Sequence, residues 1–292
     1  MKKILFSLLI YLFIFSEHAT AQNITVTGST PNARKLKYPV VLVHGIARND
    51  SNKNMHAWGS IPDTLAENGI EVYFGNTDAW GGILTNAELL KETIDAILEG
   101  TSHEKVNIIA HSKGGIDSRY CIWKYDYGDK VASLTTFSTP HQGAEIADLF
   151  YNTKIIHSKS VKKRLATIGK MFGDINPDIY NVNFDLTTEN MNEFNANITM
   201  DNRVYFQSVY STMSNPFDDP LFFRTYAYIK NLSGENDGLV SNKSASWGNN
   251  PKKLQDSISH EQIIDHGKRK NATITIQDIY LSIIDDLGKK GY

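Results

Sequence analysis

The sequence contains a single cysteine, Cys121, among 292 residues. An intramolecular disulfide is therefore excluded, and a hydrophobic core has to hold the fold together. The chain also lacks a charge excess: its formal net charge is −2 at pH 7, without the basic field of a general nucleic-acid binder. Beyond residue 15 no apolar run approaches the length of a transmembrane helix. Internal repeats and low-complexity tracts are absent as well, which favours one large domain.

The N-terminus carries one apolar run. Residues 1–21, which contain it, have the pattern of a secretory signal peptide. The basic start Met1-Lys2-Lys3 is followed by Ile4–Phe15, apolar apart from Ser7, and Ala19-Thr20-Ala21 is a small-x-small cleavage signal. The apolar stretch is too short to span a bilayer, so a retained anchor is the weaker alternative. We therefore expect export after cleavage near Ala21, which leaves residues 22–292 as a single domain.

Strand-like and helix-like segments alternate from about residue 38 onward, which is typical of an α/β fold with a mostly parallel central sheet flanked by helices. The expected strands are Pro39–His44, Glu71–Phe74, Lys105–Ala110, Val131–Phe137, Val204–Tyr210 and Thr225–Leu232. The expected helices are Trp58–Glu67, one opened by a capping box at Thr85-x-x-Glu88, Gly114–Trp123 and Ile276–Leu287. Cys121 falls in the apolar pattern of the third helix, so we expect it to be a buried packing residue.

The interval 144–200 interrupts this alternation, because it contains no strand-like run. Within it, Val161–Phe172 has the pattern of a basic amphipathic helix. We interpret the interval as a helical cap or lid inserted into the domain. A lid that opens at a lipid surface and a cap packed permanently on the domain are alternatives that the sequence leaves open.

The most informative segment is the β-branched run Val106–Ala110, which stops at Ser112 and is followed by Gly114-Gly115. A buried strand that turns sharply into a helix holds the apex residue in a strained conformation and needs small neighbours two positions away. Ala110 and Gly114 are those neighbours. Ser112 is therefore the candidate nucleophile, and the alternative is a plain strand-to-helix turn.

A serine nucleophile needs a base, and the base needs an acid that orients it. In a sheet of this kind the order along the chain is serine, acid, histidine. Asp237 is the candidate acid, because Asn236-Asp237-Gly238 follows the expected strand Thr225–Leu232 and would lie at its carboxyl end. The alternative is a turn in which Asp237 binds only its own backbone.

Only His260 and His266 follow Asp237. We prefer His260, because His266 precedes a cationic stretch that would disfavour an imidazolium ion. His111 is expected to pack or hydrogen-bond locally. The backbone N–H groups of Ile46 and Lys113 are the candidate oxyanion donors. For the nearby His44, bracing of the loop is favoured over metal binding, because no matching ligand spacing occurs nearby.

These residues resemble those of secreted bacterial triacylglycerol lipases of the α/β-hydrolase superfamily, particularly the Pseudomonas and Burkholderia type. The resemblance implies the α/β-hydrolase fold, with Ser112, Asp237 and His260 as catalytic residues and Ile46 and Lys113 as oxyanion donors. The segments that carry it are Tyr38–Ile46, Ile109–Tyr120, Ser138–Gly143, Asp185–Asn195 and Glu235–Val240.

Among the departures from that family, two concern Lys113 and Gln262. Lys113 stands where a neutral Gln or His is usual, and its side chain could favour anionic substrates, assist the oxyanion or point to solvent. The resemblance also implies a structural calcium held by an aspartate two residues after the base, where this chain has Gln262. Asp218, Asp219 and Asp265 remain as carboxylates that could bind calcium, but the sequence assigns no site. We therefore expect no cofactor, and a structural calcium ion is the weaker alternative.

The sequence thus predicts an exported serine hydrolase that cleaves carboxylic esters of lipids through an acyl-enzyme intermediate. Its substrate would be a lipid or another acyl ester. A lipid substrate would be bound at a lipid–water interface. A carboxylesterase for soluble acyl esters is the nearest alternative, and a non-catalytic binding protein with the same fold is the more distant one.

Overall fold

The computed structural model describes residues 34–50, 57–153, 157–158, 161, 167, 174, 177–269 and 272–292. The predicted signal peptide lies outside these residues, as does most of the predicted basic helix Val161–Phe172. Within the described residues no helix is both long enough and apolar enough to cross a bilayer.

The described part of the chain contains one six-stranded sheet in which every neighbouring pair of strands is parallel. Its strands are β1 (Val40–Val43), β2 (Val72–Phe74), β3 (Val106–His111), β4 (Val131–Phe137), β5 (Tyr205–Thr212) and β6 (Pro251–Ser257). The spatial order is β2-β1-β3-β4-β5-β6. Strands β2 and β3 therefore lie on opposite sides of β1. The carboxyl ends of β1 and β3 lie side by side.

Helices cover both faces of the sheet, as the sequence predicted. Nine α-helices occur among the described residues: α1 (Ile61–Glu67), α2 (Ile83–Gly100), α3 (Lys113–Lys124), α4 (Glu145–Tyr151), α5 (Ile179–Asp185), α6 (Thr188–Asn197), α7 (Phe223–Ser233), α8 (Asn242–Ala245) and α9 (Ile276–Lys289). Helices α1 and α9 pack on one face of the sheet, and α2 and α3 pack on the other. Cys121 is fully buried in the second of these cores, which confirms the packing role expected for it.

One expected strand is wrong, because Thr225–Leu232 lies in helix α7. Its threonine, tyrosine and isoleucine residues favour a strand locally. However, the buried positions Thr225, Tyr226 and Ile229 follow helical spacing, and Tyr226 packs with Met213 and Phe222. Tertiary packing therefore overrides the local preference.

Two further details differ from expectation. Strand β6 was not predicted, because its polar residues Pro251–Ser257 show no apolar alternation. It is an edge strand placed by backbone pairing with β5. The capping box at Thr85 and Glu88 is also wrong, because helix α2 begins earlier, at Ile83. The N–H of Ile83 instead donates to the Asp185 carboxylate at 3.0 Å, so a distant residue caps the helix.

The described residues of the interval 144–200 are helical where they are regular. They contain α4, α5 and α6 and no strand. The last of these helices begins at its cap residue Thr187, whose side-chain oxygen accepts the Asn190 N–H at 3.3 Å. This part of the chain borders the carboxyl edge of the sheet, where the candidate site lies.

Candidate active site

Ser112 occupies a sharp turn between strand β3 and helix α3. Its backbone lies in the positive-φ region (φ 51°, ψ −128°), where few non-glycine residues are found. The backbones around it approach so closely that larger neighbours are excluded. A Cβ on Gly114 would lie 2.4 Å from the His44 carbonyl oxygen, and a Cβ on Gly45 would lie 2.7 Å from the Ser112 Cβ. The glycines are thus required by the turn, as the pattern predicted.

The structure brings Ser112, His260 and Asp237 into one hydrogen-bonded chain. The His260 Nε2 lies 3.0 Å from the Ser112 Oγ, and the His260 Nδ1 lies 2.9 Å from the Asp237 Oδ2. All three side chains are buried. With a proton on Nδ1, the ring donates to the carboxylate and accepts the serine hydroxyl proton on Nε2.

Asp237 makes the contacts expected from both of its interpretations. Its Oδ1 accepts the backbone N–H groups of Leu239 at 3.0 Å and Val240 at 2.8 Å, which is the turn interpretation. Its Oδ2 faces the histidine. The residue reaches the sheet edge through pairing of its loop with strand β5, since the Met213 N–H donates to the Asn236 carbonyl at 2.9 Å. A strand directly before Asp237 is therefore not needed.

Two influences act on the basicity of His260. Burial by itself lowers the pKa of the ring, but the charge and hydrogen bond of Asp237 raise it, and the net pKa lies above the ordinary value. The pKa of His111 is shifted in the opposite direction. Burial and the neighbouring His260 hold it well below the ordinary value. The His111 Nε2 donates to the His260 carbonyl at 3.0 Å, and the two rings pack 4.6 Å apart. The local packing role expected for His111 is confirmed.

The candidate oxyanion donors flank the serine. Among the described residues, neither the Ile46 N–H nor the Lys113 N–H donates to a protein acceptor. The loop that carries Ile46 is held by His44, whose Nδ1 lies 2.7 Å from the Gly45 carbonyl and whose Nε2 lies 3.0 Å from the Thr77 carbonyl. This supports the bracing role expected for His44, and the described residues include no cluster of three or more metal-binding side chains.

The Lys113 side chain lies in none of the places expected for it. It is 1% exposed, and its Nζ donates to the Asp117 Oδ1 at 2.6 Å, one turn along helix α3. The other oxygen of Asp117 accepts the Asn86 amide at 2.9 Å. The ammonium is therefore neutralised inside the protein and reaches neither substrate nor solvent. The sequence held a signal for this pair, since Asp117 follows Lys113 at the i,i+4 spacing of facing helical side chains.

A largely apolar cavity of about 290 Å³ opens beside Ser112 and His260. Its walls come from the Ile46 loop, the predicted cap region and the segment leading into α7. The lining residues include Ile46, Trp80, Leu186, Phe222, Leu239 and Val240. Sequence reasoning identified Ile46 but missed the rest, because apolar residues on separate loops carry no common spacing.

The Trp80 side of the cavity depends on a buried carboxylate that the sequence did not single out. Asp174 accepts the N–H groups of Ala79 at 2.9 Å and Trp80 at 2.8 Å. Burial, with help from nearby Asp78, raises the pKa of Asp174 to about 6. A residue of the predicted cap region is thus joined to the loop that follows β2.

The carboxylates considered as calcium ligands already accept hydrogen bonds from the protein. The Asp218 Oδ2 accepts the Ser214 N–H at 2.7 Å, and the Asp219 Oδ2 accepts the Ser259 hydroxyl at 2.7 Å. Asp265 instead accepts the Ser60 N–H at 2.9 Å, in a different part of the structure. These three side chains belong to no group of three or more metal-binding side chains in the described part of the chain.

Comparison with known proteins identifies the family of this chain. The family model described as palmitoyl protein thioesterase matches residues 39–247. The chain belongs to the palmitoyl protein thioesterase family. The matched region includes Ile46, Ser112 and Asp237, and it ends before His260.

The curated relatives of this family member include bacterial enzymes named triacylglycerol lipase, which confirms the resemblance seen in the sequence. The Vibrio cholerae protein is 33% identical over 159 residues, covering 54% of this chain and 50% of the relative. The Burkholderia plantarii protein is 39% identical over 116 residues, covering 38% of this chain and 32% of the relative. The chain thus spans half or less of the length of these relatives.

Solved structures confirm the fold class. A mature lipase from Bacillus licheniformis superposes with a TM-score of 0.63 at 21% identity, covering 90% of this chain and 98% of that one. At this identity the likeness shows the fold alone. The family member therefore has an α/β-hydrolase fold with a mostly parallel sheet, as its sequence predicted.

Proposed function

We propose that this protein is an exported serine hydrolase that cleaves carboxylic esters of lipids through an acyl-enzyme intermediate. The observation that carries the proposal is the chain Ser112–His260–Asp237, with contacts of 3.0 Å and 2.9 Å beside an apolar cavity. An apolar cavity accommodates an acyl chain, and the serine lies where the ester carbonyl of that chain would enter.

In the first half of the reaction, the Ser112 Oγ attacks the ester carbonyl carbon while the His260 Nε2 takes the hydroxyl proton. The backbone N–H groups of Ile46 and Lys113 stabilise the oxyanion that develops on the carbonyl oxygen. The carbon–oxygen bond to the alcohol then breaks, and His260 returns its proton to the departing alcohol. Asp237 stabilises the imidazolium ion in between.

In the second half, water replaces the alcohol. His260 takes a proton from the water as its oxygen attacks the acyl carbon, and the bond between the acyl group and the Ser112 Oγ breaks. The serine recovers its proton from His260, and the fatty acid leaves. The net reaction consumes one water and yields one acid and one alcohol.

Replacement of the nucleophile tests this proposal. The Ser112→Ala variant is expected to keep its thermal stability, to lose hydrolysis of p-nitrophenyl esters, and to lose covalent labelling by a fluorophosphonate. Ser102→Ala is the matched control, because Ser102 is an exposed serine at the end of helix α2. Ester turnover by Ser112→Ala at the wild-type rate would refute the serine mechanism.

The exposed rim of the cavity favours lipid esters over soluble esters. Leu221 and Phe223 line the cavity while remaining 46% and 43% exposed. Exposed apolar side chains at the entrance of a site would contact lipid. We therefore infer that the substrate is met at a lipid–water interface. A soluble-ester esterase is supported instead if emulsified and dissolved substrates are cleaved equally well.

Hydrolysis of acyl thioesters is a second candidate function, and the family match supports it. The same serine chemistry applies, with a thiolate as the leaving group. Comparing kcat/KM for an acyl thioester and an oxygen ester of the same chain length would distinguish the two activities.

Export is tested separately: the mature protein is expected outside the cytoplasm with Gln22 as its first residue.

A further inference from the structure

Gln262 lies two residues after the proposed base, and its side chain is 3% exposed. Its Oε1 accepts the Ser259 N–H at 3.0 Å. Its Nε2 donates to the Asp218 carbonyl at 3.2 Å and to the Lys268 carbonyl at 3.1 Å. A backbone N–H only donates and a carbonyl only accepts, so these three partners determine the orientation of the amide.

The three partners lie in two segments around His260, namely the loop that carries His260 and Gln262 and the loop after β5. Ser259 directly precedes the base, Asp218 belongs to the loop after β5, and Lys268 lies downstream. A second set of bonds joins the same segments, because the Gln262 N–H donates to the Ser259 Oγ at 3.2 Å and that hydroxyl donates to Asp219 at 2.7 Å. The Gln262 amide is therefore a cross-link between the loop of the base and the loop after β5, 44 residues away along the chain.

The residues present do not fit the calcium ion that the lipase resemblance implies at this position. The Asp218 and Lys268 carbonyls are groups that a hard cation could bind, but both already accept from the Gln262 Nε2. Turning the amide to offer Oε1 to a cation would leave the buried Ser259 N–H without its partner. The Asp218 and Asp219 carboxylates also accept hydrogen bonds from neighbouring loop groups.

We propose that the Gln262 amide itself holds the loop of the base, so that it is a positioning residue for His260 and no divalent cation is required there. This inference depends on the proposed function, in which His260 is the base. The two N–H groups of the amide bind the carbonyl oxygens of Asp218 and Lys268. A cation at this position would hold the same kind of oxygen atoms through its positive charge.

Substitution of Gln262 tests the cross-link. Gln262→Glu keeps the shape, removes both donors and places a carboxylate against two carbonyl oxygens. We expect kcat for p-nitrophenyl butyrate to fall about 10-fold or more, with KM nearly unchanged. In Gln262→Met, which adds no charge beside the ring, the acid limb of the kcat/KM profile should move to lower pH, because a His260 held less firmly against Asp237 loses the interaction that raises its pKa. The Tm should fall by about 5 °C.

Two further variants keep the test interpretable. Gln262→Met removes the bonds without adding charge and serves if the glutamate variant does not fold. Gln255→Glu makes the same chemical change at an exposed position of the edge strand β6, and it should leave kcat, the pH profile and the Tm unchanged. In the wild type, neither a calcium chelator nor added Ca²⁺ should change the Tm. In Gln262→Glu, added Ca²⁺ should raise it.

Wild-type values of kcat and Tm in both Gln262 variants would overturn the inference, as would stoichiometric calcium in the purified wild type together with a chelator-induced fall in Tm. Failure of the proposed function has a different signature, namely a wild type that cleaves no ester and whose Ser112 takes no fluorophosphonate label. The Tm comparison of Gln262→Glu with Gln255→Glu needs no turnover. It therefore decides the cross-link even in that case.

Discussion

At the scale of single residues, the site depends on how buried charges are compensated. Burial lowers the pKa of His260, yet the net pKa lies above the ordinary value, because the charge and hydrogen bond of Asp237 together with the charge of Glu261 raise it. Lys113 and Asp117 are also buried, and each neutralises the other at 2.6 Å. In both pairs, removal of one partner leaves a charge or a polar group in a poorly solvating environment. Each pair therefore yields a prediction.

The first prediction concerns the pH dependence of activity. The base must be neutral to accept the serine proton, so kcat/KM should rise with pH through a midpoint above the ordinary histidine pKa of 6.5. In Asp237→Asn the raising influence is lost and burial dominates, so the midpoint should move to lower pH. The kcat should also fall by about 10⁴-fold. A pH titration of kcat/KM for a soluble ester measures both effects, and an unmoved midpoint would contradict the assignment of Asp237.

The second prediction concerns the buried ion pair. Lys113→Met leaves the Asp117 carboxylate buried without a counter-ion, and the free energy of unfolding in urea should fall by about 3–5 kcal/mol. The double variant Lys113→Met/Asp117→Leu removes both charges and should regain most of the loss.

The surface pair Lys91–Asp95 is the matched control for that measurement, because it has the same i,i+4 spacing and a contact of 2.8 Å at side chains 36% and 22% exposed. Lys91→Met should cost no more than about 1 kcal/mol. If the losses of the single variants at positions 113 and 117 simply add in the double variant, the two side chains do not act as a pair.

At the scale of elements, the segment from Asn215 to the first turn of α7 forms one side of the cavity entrance. Phe217 is 63% exposed, and its ring lies 5.4 Å from that of Phe223. Together with Leu221, these side chains form an exposed apolar rim. The predicted basic helix Val161–Phe172 lies almost wholly outside the described residues, so this rim is the observed candidate for contact with lipid.

The third prediction follows from that rim. In the double variant Leu221→Ser/Phe223→Ser, activity on a triacylglycerol emulsion should fall about 10-fold more than activity on a dissolved short ester, because less apolar surface is buried in lipid. Leu232→Ser is the control, since Leu232 lies on the same helix α7, is 60% exposed and does not line the cavity. Equal losses on both substrates would exclude a role in lipid contact.

At the scale of the whole molecule, the parallel sheet determines where the site forms. Strands β1 and β3 are neighbours and run in the same direction, so the Ile46 loop and Ser112 emerge together at the carboxyl edge. The loop after α7 brings Asp237 to that edge, and the segment after β6 brings His260. Residues distant in sequence thus meet because their strands end at one edge.

The sequence by itself determined the α/β class, five of the six strands and the identity of the candidate catalytic residues. These features depend on apolar periodicity, on glycines that a sharp turn requires, and on the order of polar residues along the chain, all of which are local patterns. The catalytic roles themselves remain predictions.

Only the tertiary structure decided where Lys113 points, that Thr225–Leu232 is helical, and that the Gln262 amide joins the loop of His260 to the loop after β5. Each of these depends on partners distant in the chain or on which faces become buried. A buried lysine and an exposed one look alike in a sequence, because the free energy that distinguishes them comes from the packed surroundings and not from the residue.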